Sequence, residues 1–300
     1  ESVKDIVVTL NAKQLVKDVV TTSSSSDSFP VLTGSLGDNV TFTYDNGNIS
    51  IDGTGPMSAG TVVSGGYCDG YQAEGNVCSL QAELSMAMGN KLATWNEKID
   101  AAVKMITGIF MAGTTFESQG VSREEAKAML MTEDMGSLTE EEAEKALKIM
   151  DSIPALKSIT ISNGITSIRP YLFQGFRADN LTITIPNTIS AKSYHVFDAA
   201  EVGTIAFESG TKIVYEGICY ISDGAINNII LPDDVETIET KSIGASDGSM
   251  TTLTIPSSVT TIENSSIYGQ NLTTIVNKTG KKFDWNGILT GTSGTAFETG

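Results

Sequence analysis

Apolar and polar positions along residues 155–276 follow a pattern that keeps coming round. An apolar-x-apolar strand ends on Ile161, Ile185, Phe207, Leu231 and Ile255, at spacings of 24, 22, 24 and 24. From each of these anchors further apolar residues fall four and usually seven positions on. They are Ile165 and Ile168, Ile189 with Lys192 breaking the rule, Ile213 shifted by one, Val235 and Ile238, and Val259 and Ile262. A third slot closes each unit with Leu172-Phe173, Val196-Phe197, Ile218-Cys219, Ile243 and Ile267-Tyr268. A period in the twenties with short alternating strands and Pro or Gly turns predicts a stacked solenoid, because one such unit cannot bury its apolar face alone.

The first half follows other rhythms. Val3, Ile6, Val7, Leu10, Leu15, Val16, Val19 and Val20 recur at helical spacing, which predicts an amphipathic helix over residues 1–20. The polar run Thr21 to Ser28 then reads as a linker. Val40 to Tyr44 and Asn48 to Asp52 alternate around Asn46-Gly47, the signal of a hairpin with a type I′ turn. Between Leu80 and Ala112, Leu84, Met88, Leu92, Trp95, Ile99, Ile106 and Phe110 share one face, predicting a long helix kinked at Gly89 or Gly108. Two shorter helices follow, each opened by a capping box, Ser122 with Glu125 and Thr139 with Glu142. Pro154 closes this helical stretch.

The runs Ile159-Thr160-Ile161-Ser162-Asn163-Gly164-Ile165-Thr166-Ser167-Ile168 and Leu253-Thr254-Ile255-Pro256-Ser257-Ser258-Val259-Thr260-Thr261-Ile262 resemble the BspA-type leucine-rich repeats of bacterial surface proteins. Gly37 to Tyr44 together with Gly47 to Met57 is similar to the hairpin that often precedes such repeats in clostridial proteins. In those proteins the first repeat follows the hairpin closely; here about a hundred residues intervene, as if a helical insertion had been placed between them. A second resemblance concerns Glu1 to Val16, which looks like the exposed half of the long first helix of Firmicute type IV pilins. Asn277 to Trp285 with Gly291 to Gly300 also resembles tails of clostridial pilin-like proteins that carry these repeats. The resemblances imply an extracellular protein of a Gram-positive bacterium, a type IV pilin or pilin-like adhesin whose repeats display a recognition face. The alternative they leave open is a free or wall-attached binding module for host matrix or other bacteria. The implied partners are other pilin subunits, or a host or bacterial surface protein or glycan.

The expected architecture is therefore α+β and multi-module. It comprises a pilin-like N-terminal helix over 1–22, a linker and β-hairpin over 23–66, and an inserted Met-rich helical module over 67–154. Irregular leucine-rich repeats forming a β-solenoid follow over 155–276, then a C-terminal cap or tail over 277–300. Three hundred residues bury roughly three quarters of the surface of the unfolded chain, enough for a sizeable core. The formal charge of −17, from 36 acidic and 19 basic residues, repels phosphate backbones and anionic lipid surfaces, so nucleic acid is not an expected partner. No run of eighteen apolar residues is present, so direct membrane insertion is not expected of these residues. From Glu1 and from Phe297 to Gly300, the expectation is a trimmed piece of a longer protein whose export and anchoring segments lie outside it. Leu231-Pro232-Asp233-Asp234 lacks the Thr-Gly of a sortase signal and reads as strand end and turn.

Candidate chemistry is sparse. Cys68 and Cys78 lie ten apart in a glycine-rich loop that lets their Cα atoms approach to about 5.5 Å, so a disulfide is expected there, contributing roughly 2–3 kcal/mol when formed. A zinc site wants four Cys or His ligands, and His195 is the one histidine. Cys219 falls in a core register and reads as a small buried hydrophobe. Eight of the ten methionines lie between Met86 and Met150, where filling gaps between helices, an adaptable groove and a soft-metal site are the readings. Glu140, Glu141, Glu142 and Glu144 suit a helix N-terminus, with calcium or a partner as the other reading. His195, beside Tyr194 and Phe197, has no nucleophile elbow near it and reads as a turn histidine. No phosphate loop and no EF-hand spacing occurs, so no catalytic, metal or cofactor-binding residue is assigned. A hydrolase that uses paired carboxylates meeting only in space is the remaining enzymatic alternative.

Overall fold

Asn46 and Gly47 both take positive φ, 47° and 83°, which is what a two-residue type I′ turn requires. That turn joins β2 (Val40–Asp45) to β3 (Asn48–Gly53) in antiparallel register, with Phe42 opposite Ile51 and Tyr44 opposite Ile49. The hairpin is borne out, but it has a third member: β1 (Leu32–Gly37) pairs antiparallel with β2. Its glycines and serine hide the alternation that marks the other two strands. The computed structural model describes residues 29–58, 79–92, 106–133, 137–221, 223–246, 248, 250–291 and 296–299. The expected N-terminal helix, the Ser-rich linker and the Cys68–Cys78 loop lie outside the described residues.

After β3 the chain makes the short strand β4 (Gly55–Pro56), leaves the sheet, and returns as β5 (Ser158–Ile161) and β6 (Ile165–Ser167). Strand β5 lies parallel to β3, Ile49 beside Ile159 and Ile51 beside Ile161, and β6 lies beside β4. Strands β3 and β4 thus run as one more coil beneath the first repeat, and everything between Met57 and Lys157 is inserted at the joint.

Each later coil repeats the same three sides. The first side carries two parallel ladders, one of β7 (Arg177–Ile185), β8 (Ala200–Phe207) and β11 (Gly224–Ile230) and one of β14 (Thr252–Ile255), β17 (Thr274–Asn277) and β19 (Ala296–Thr299). The second carries β9 (Ile213–Val214), β12 (Thr237–Ile238) and β15 (Thr261–Ile262). The third carries β10 (Cys219–Tyr220), β13 (Ile243–Ala245), β16 (Ile267–Gly269) and β18 (Leu289–Thr290). Inside the first side Ile183, Ile205 and Ile229 lie in register in one ladder and Leu253 and Ile275 in the other, and all five are buried. The same turn follows each strand: Ile189, Thr211, Val235 and Val259 donate their N–H to the carbonyls of Pro186, Glu208, Pro232 and Pro256 at 3.1–3.2 Å.

That regularity corrects the expected shift at Ile213. Thr211 and Val214 hold the four-on and seven-on positions after Phe207 and are buried, while Ile213 is half-buried and pairs with Thr237. Thr211 is nearly the shape of valine and turns its hydroxyl back to the Glu208 carbonyl at 2.7 Å, so it fills an apolar slot unrecognised by its polarity. Lys192 does depart from the pattern, standing exposed and paired with Glu216 and Glu239 at 3.1 and 3.5 Å. The stack also runs on beyond Val276, since β18 and β19 pair with β16 and β17. The anchor slot of that penultimate strand is held by Asn277, whose side chain serves the Lys281 carbonyl and Thr279.

Within the insertion, α1 (Leu80–Leu92) opens by donating the Leu80 N–H to the Leu172 carbonyl of the first repeat at 2.8 Å. Helical residues 106–111 do not continue α1. The Gly108 N–H donates to Ser85 Oγ at 3.0 Å, whereas 23 residues of one straight helix would span about 35 Å. The expected single long helix is therefore two segments packed on each other, and Gly108 lets them touch, because a Cβ there would meet the Gln81 carbonyl oxygen at 2.0 Å. The capping boxes at Ser122 and Thr139 are both formed and open Arg123–Leu130 and Glu140–Asp151. Those two helices bury Ala126, Leu130, Ala143, Ala146 and Leu147 and are strapped outside by Arg123 to Glu144 and Asp151 and by Lys127 to Glu140. Met88, Met111 and Met150 are core residues; Met129 and Met131 are 46% and 42% exposed.

Insertion and repeats share one contiguous apolar core. At their junction the Arg169 guanidinium, from the first repeat, meets the Glu83 carboxylate of α1 at 2.9 Å, both side chains out of solvent. Removing one member of a buried pair leaves a poorly compensated charge and costs about 3–5 kcal/mol, while an apolar replacement of both is often neutral. Glu83→Ala should therefore lower stability by that order in denaturant titration, and Glu83→Leu with Arg169→Met should recover most of the loss. In the repeats, Ile255→Ala should cost about 2–5 kcal/mol by cavity formation. The loss should appear in one cooperative melting transition of the whole stack.

Candidate functional site

Two outer surfaces of the solenoid carry side chains that the core does not use. On the first side the outward positions are Thr182, Thr184, Thr204, Asn228, Thr252, Thr254 and Thr274, a flat array of β-branched and polar groups with Ile230 standing 49% exposed among them. These residues favour strands and hydrate well, so the array needs no ligand to account for it.

The corner before the third side is more unusual. Tyr171, His195, Lys241 and Ser265 take φ of 56°, 44°, 45° and 54°, and Gly217 takes 78°. They occupy one position in five successive coils, separated by 24, 22, 24 and 24 residues like the strand anchors. The left-handed conformation costs a non-glycine residue about 1–2 kcal/mol. It is held because the corner amides are bonded along the stack: Gly217 donates to the Lys241 carbonyl and Lys241 to that of Ser265, both at 2.9 Å, and Ser265 to that of Gly287 at 2.7 Å.

Aromatic rings collect at this corner and on the strand after it. Tyr171 lies 5.7 Å from Tyr194 and 6.0 Å from His195, and Tyr194 and His195 are 4.1 Å apart, all between ring centroids. His195 meets Tyr220 edge-on at 6.1 Å, and Tyr220 reaches Tyr268 at 5.9 Å. The last contact bridges a coil, since Gly244 stands between Tyr220 and Tyr268 in the parallel ladder and has no side chain to part them. A Cβ at Gly244 would strike the Tyr268 carbonyl oxygen at 1.8 Å. The result is an unbroken aromatic row over five coils in which Tyr194 is 41% exposed and Tyr171, Tyr220 and Tyr268 are half-buried. Polar groups border it: Asp198 Oδ1 lies 3.3 Å from His195 Nδ1, and Gln270 Nε2 donates to the Tyr268 hydroxyl at 3.2 Å. Burial raises the Tyr220 hydroxyl above the ordinary tyrosine range, with Tyr268 and Tyr194 adding to it.

Strand alternation hides this row in the sequence. The closing slot Ile267-Tyr268 is not a core pair: only Ile267 points inward, and Tyr268 faces out. The recoverable signal is positional, Tyr171 and His195 sharing one slot and Tyr220 and Tyr268 another two coils apart.

Of the other candidates, only His195 belongs to the row. His195 sits at the left-handed corner, as a turn histidine, and Ser193 Oγ beside it donates to the Ile168 carbonyl at 2.8 Å. Glu142 closes its capping box, and Glu140, Glu141 and Glu144 pair with Lys127, Lys145 and Arg123. Among the described residues no group of three or more His, Cys, Asp or Glu side chains converges as a metal site. Nor, among them, is any helix long and apolar enough to cross a membrane. Cys219 is fully buried as expected, its Sγ 3.1 Å from the Ser242 carbonyl, and burial drives its thiol pKa far up.

Parallel coils of 22–24 residues with a buried apolar ladder on each side define a leucine-rich-repeat β-solenoid. Residues 150–275 match the family model described as BspA type leucine rich repeat region, in six copies. Among solved structures, the chain is similar to a leucine-rich repeat protein from Eubacterium ventriosum, at 14% identity and a TM-score of 0.40, over 83% of this chain and 45% of that one. The chain thus spans less than half the length of that protein. No curated protein matches it in sequence.

Because a thiol attacks only as thiolate, Cys219 should resist alkylation by iodoacetamide at pH 8 in the native protein and be labelled fully in denaturant, as read by peptide mapping. Native labelling at Cys219 would contradict the core register assigned to it.

Proposed function

We propose that this chain is a non-enzymatic extracellular binding protein that recognises its partner through the aromatic row on the third side of the solenoid. The observation that carries this reading is the continuity of the row across five coils. Nothing in the packing of the core demands exposed rings there, whereas aromatic groups with polar tips are the side chains that dominate recognition surfaces. BspA type repeats are binding and surface modules, and the match over residues 150–275 supports the same role here.

The carrier, in this reading, is a type IV pilus, with the chain as a pilin or pilin-like subunit. The support is the likeness of residues 1–16 to the exposed half of a pilin first helix and of the C-terminal segment to pilin-like tails. A free or wall-attached module is the second reading. It is favoured by the family match itself, which concerns the repeats alone.

Beads coated with the protein should adhere to host or bacterial surfaces. Tyr220→Ala with Tyr268→Ala should reduce adhesion at least tenfold, while Thr184→Ala on the first side leaves it unchanged. Immunogold labelling of cells expressing the full-length gene should place the protein on filaments; signal spread over the wall with none on filaments favours the free module.

A further inference from the structure

We infer that the aromatic row takes a neutral, linear polysaccharide laid along the solenoid axis. The inference rests on the reading of that row as the recognition face and adds the chemical class of its ligand. Four of the five coils contribute a ring, and consecutive contacts in the row span 4.1 to 6.1 Å between centroids. Coils in a parallel stack advance by about 4.8 Å, so from Tyr171 to Tyr268 the row is about 19 Å long. A chain of pyranose rings advances by a similar rise per sugar, so successive sugars pass successive rings, which are turned 44–88° to one another and offer faces and edges in turn.

The chemistry of the row matches both surfaces of a sugar. The face of an aromatic ring carries negative charge density and attracts the C–H bonds on the apolar face of a pyranose. The hydroxyls at the sugar rim need donors and acceptors in the plane beside the rings. The Asp198 carboxylate borders the row at His195, and the Gln270 amide borders it at the Tyr268 hydroxyl.

Two other ligand classes fit less well. A peptide adding itself as a strand needs unpaired backbone, but on this side the main chain is spent between coils, from Cys219 beside Ile243 to Ile267 beside Leu289. A polyanion meets a chain of net charge −17.

The test is affinity electrophoresis of the whole chain in native gels containing mixed-linkage β-glucan, xylan or galactomannan, with heparin as the anionic comparison. At least one neutral polymer should retard the protein. Tyr220→Ala with Tyr268→Ala should weaken that retardation at least tenfold, with Tyr268→Phe keeping most of it. Melting curves establish that the variants fold, and Tyr194→Ala, at the most exposed ring, serves as the second probe should the double variant unfold. Retardation by no neutral polymer, retardation indifferent to the tyrosines, or retardation by heparin alone overturns the inference. If bead adhesion still depends on the tyrosines while every neutral gel is silent, the recognition face stands and its ligand is a protein. If adhesion too ignores the tyrosines, the recognition face falls with it.

Discussion

A coil in a parallel stack cannot satisfy its own backbone. Amides on the three sides look largely to the coil above or below, so every coil must have nearly the same length and corner, and an end coil has an edge to satisfy by other means. Most of this chain follows from that requirement. The corner amides of Gly217, Lys241 and Ser265 bond along the stack, and that ladder holds non-glycine residues in a left-handed turn. The lower edge is met by β3, which carries the parallel ladder on its repeat side and the antiparallel β2 on the other. The hairpin is thereby a converter between two pairing modes.

The insertion is built into this frame rather than hung from it. It donates the Leu80 amide to the Leu172 carbonyl, accepts the Arg177 amide at the Ala112 carbonyl, and pairs Glu83 with Arg169 in the shared core. Buried charge is a poor source of stability but a strict one for placement, since a shift of α1 by one helical turn would strand the Arg169 guanidinium. Gly113 adds a second restriction, because a Cβ there would meet the Arg177 carbonyl oxygen at 2.2 Å. The helices are thus set against the first repeat by one ion pair and by the close backbone approach at Gly113.

What could be read from the sequence was whatever repeated or obeyed a local rule. The strand anchors, the Asn46-Gly47 turn, the two capping boxes and the core register of Cys219 each depend on a few neighbouring residues, and the structure shows them. Less was legible where a residue does one job with another's chemistry: Thr211 fills a valine slot, and Asn277 fills an anchor slot by bonding to its own loop. The meeting of residues 106–111 with α1 rests on Gly108, whose role exists only once both segments are in place. The aromatic row was hidden for a similar reason. Its members are far apart in the chain and belong to two different slots, and only the stacking of coils makes them neighbours.

The joint between the hairpin and the first repeat has one more consequence. Because β3 is hydrogen-bonded to β5 and β4 to β6, the two chain ends that enter and leave residues 57–157 are held at fixed points of the first coil, Met57 beside Ser167 and Lys157 beside Gly47, whatever lies between them. Closing a longer loop across fixed ends adds only about 0.6 kcal/mol for each doubling of its length. The stack is therefore nearly indifferent to the size of what is grafted there. A lineage of such proteins could lengthen or shorten the chain at this joint while keeping every coil of the solenoid intact, as long as a partner for Arg169 is retained.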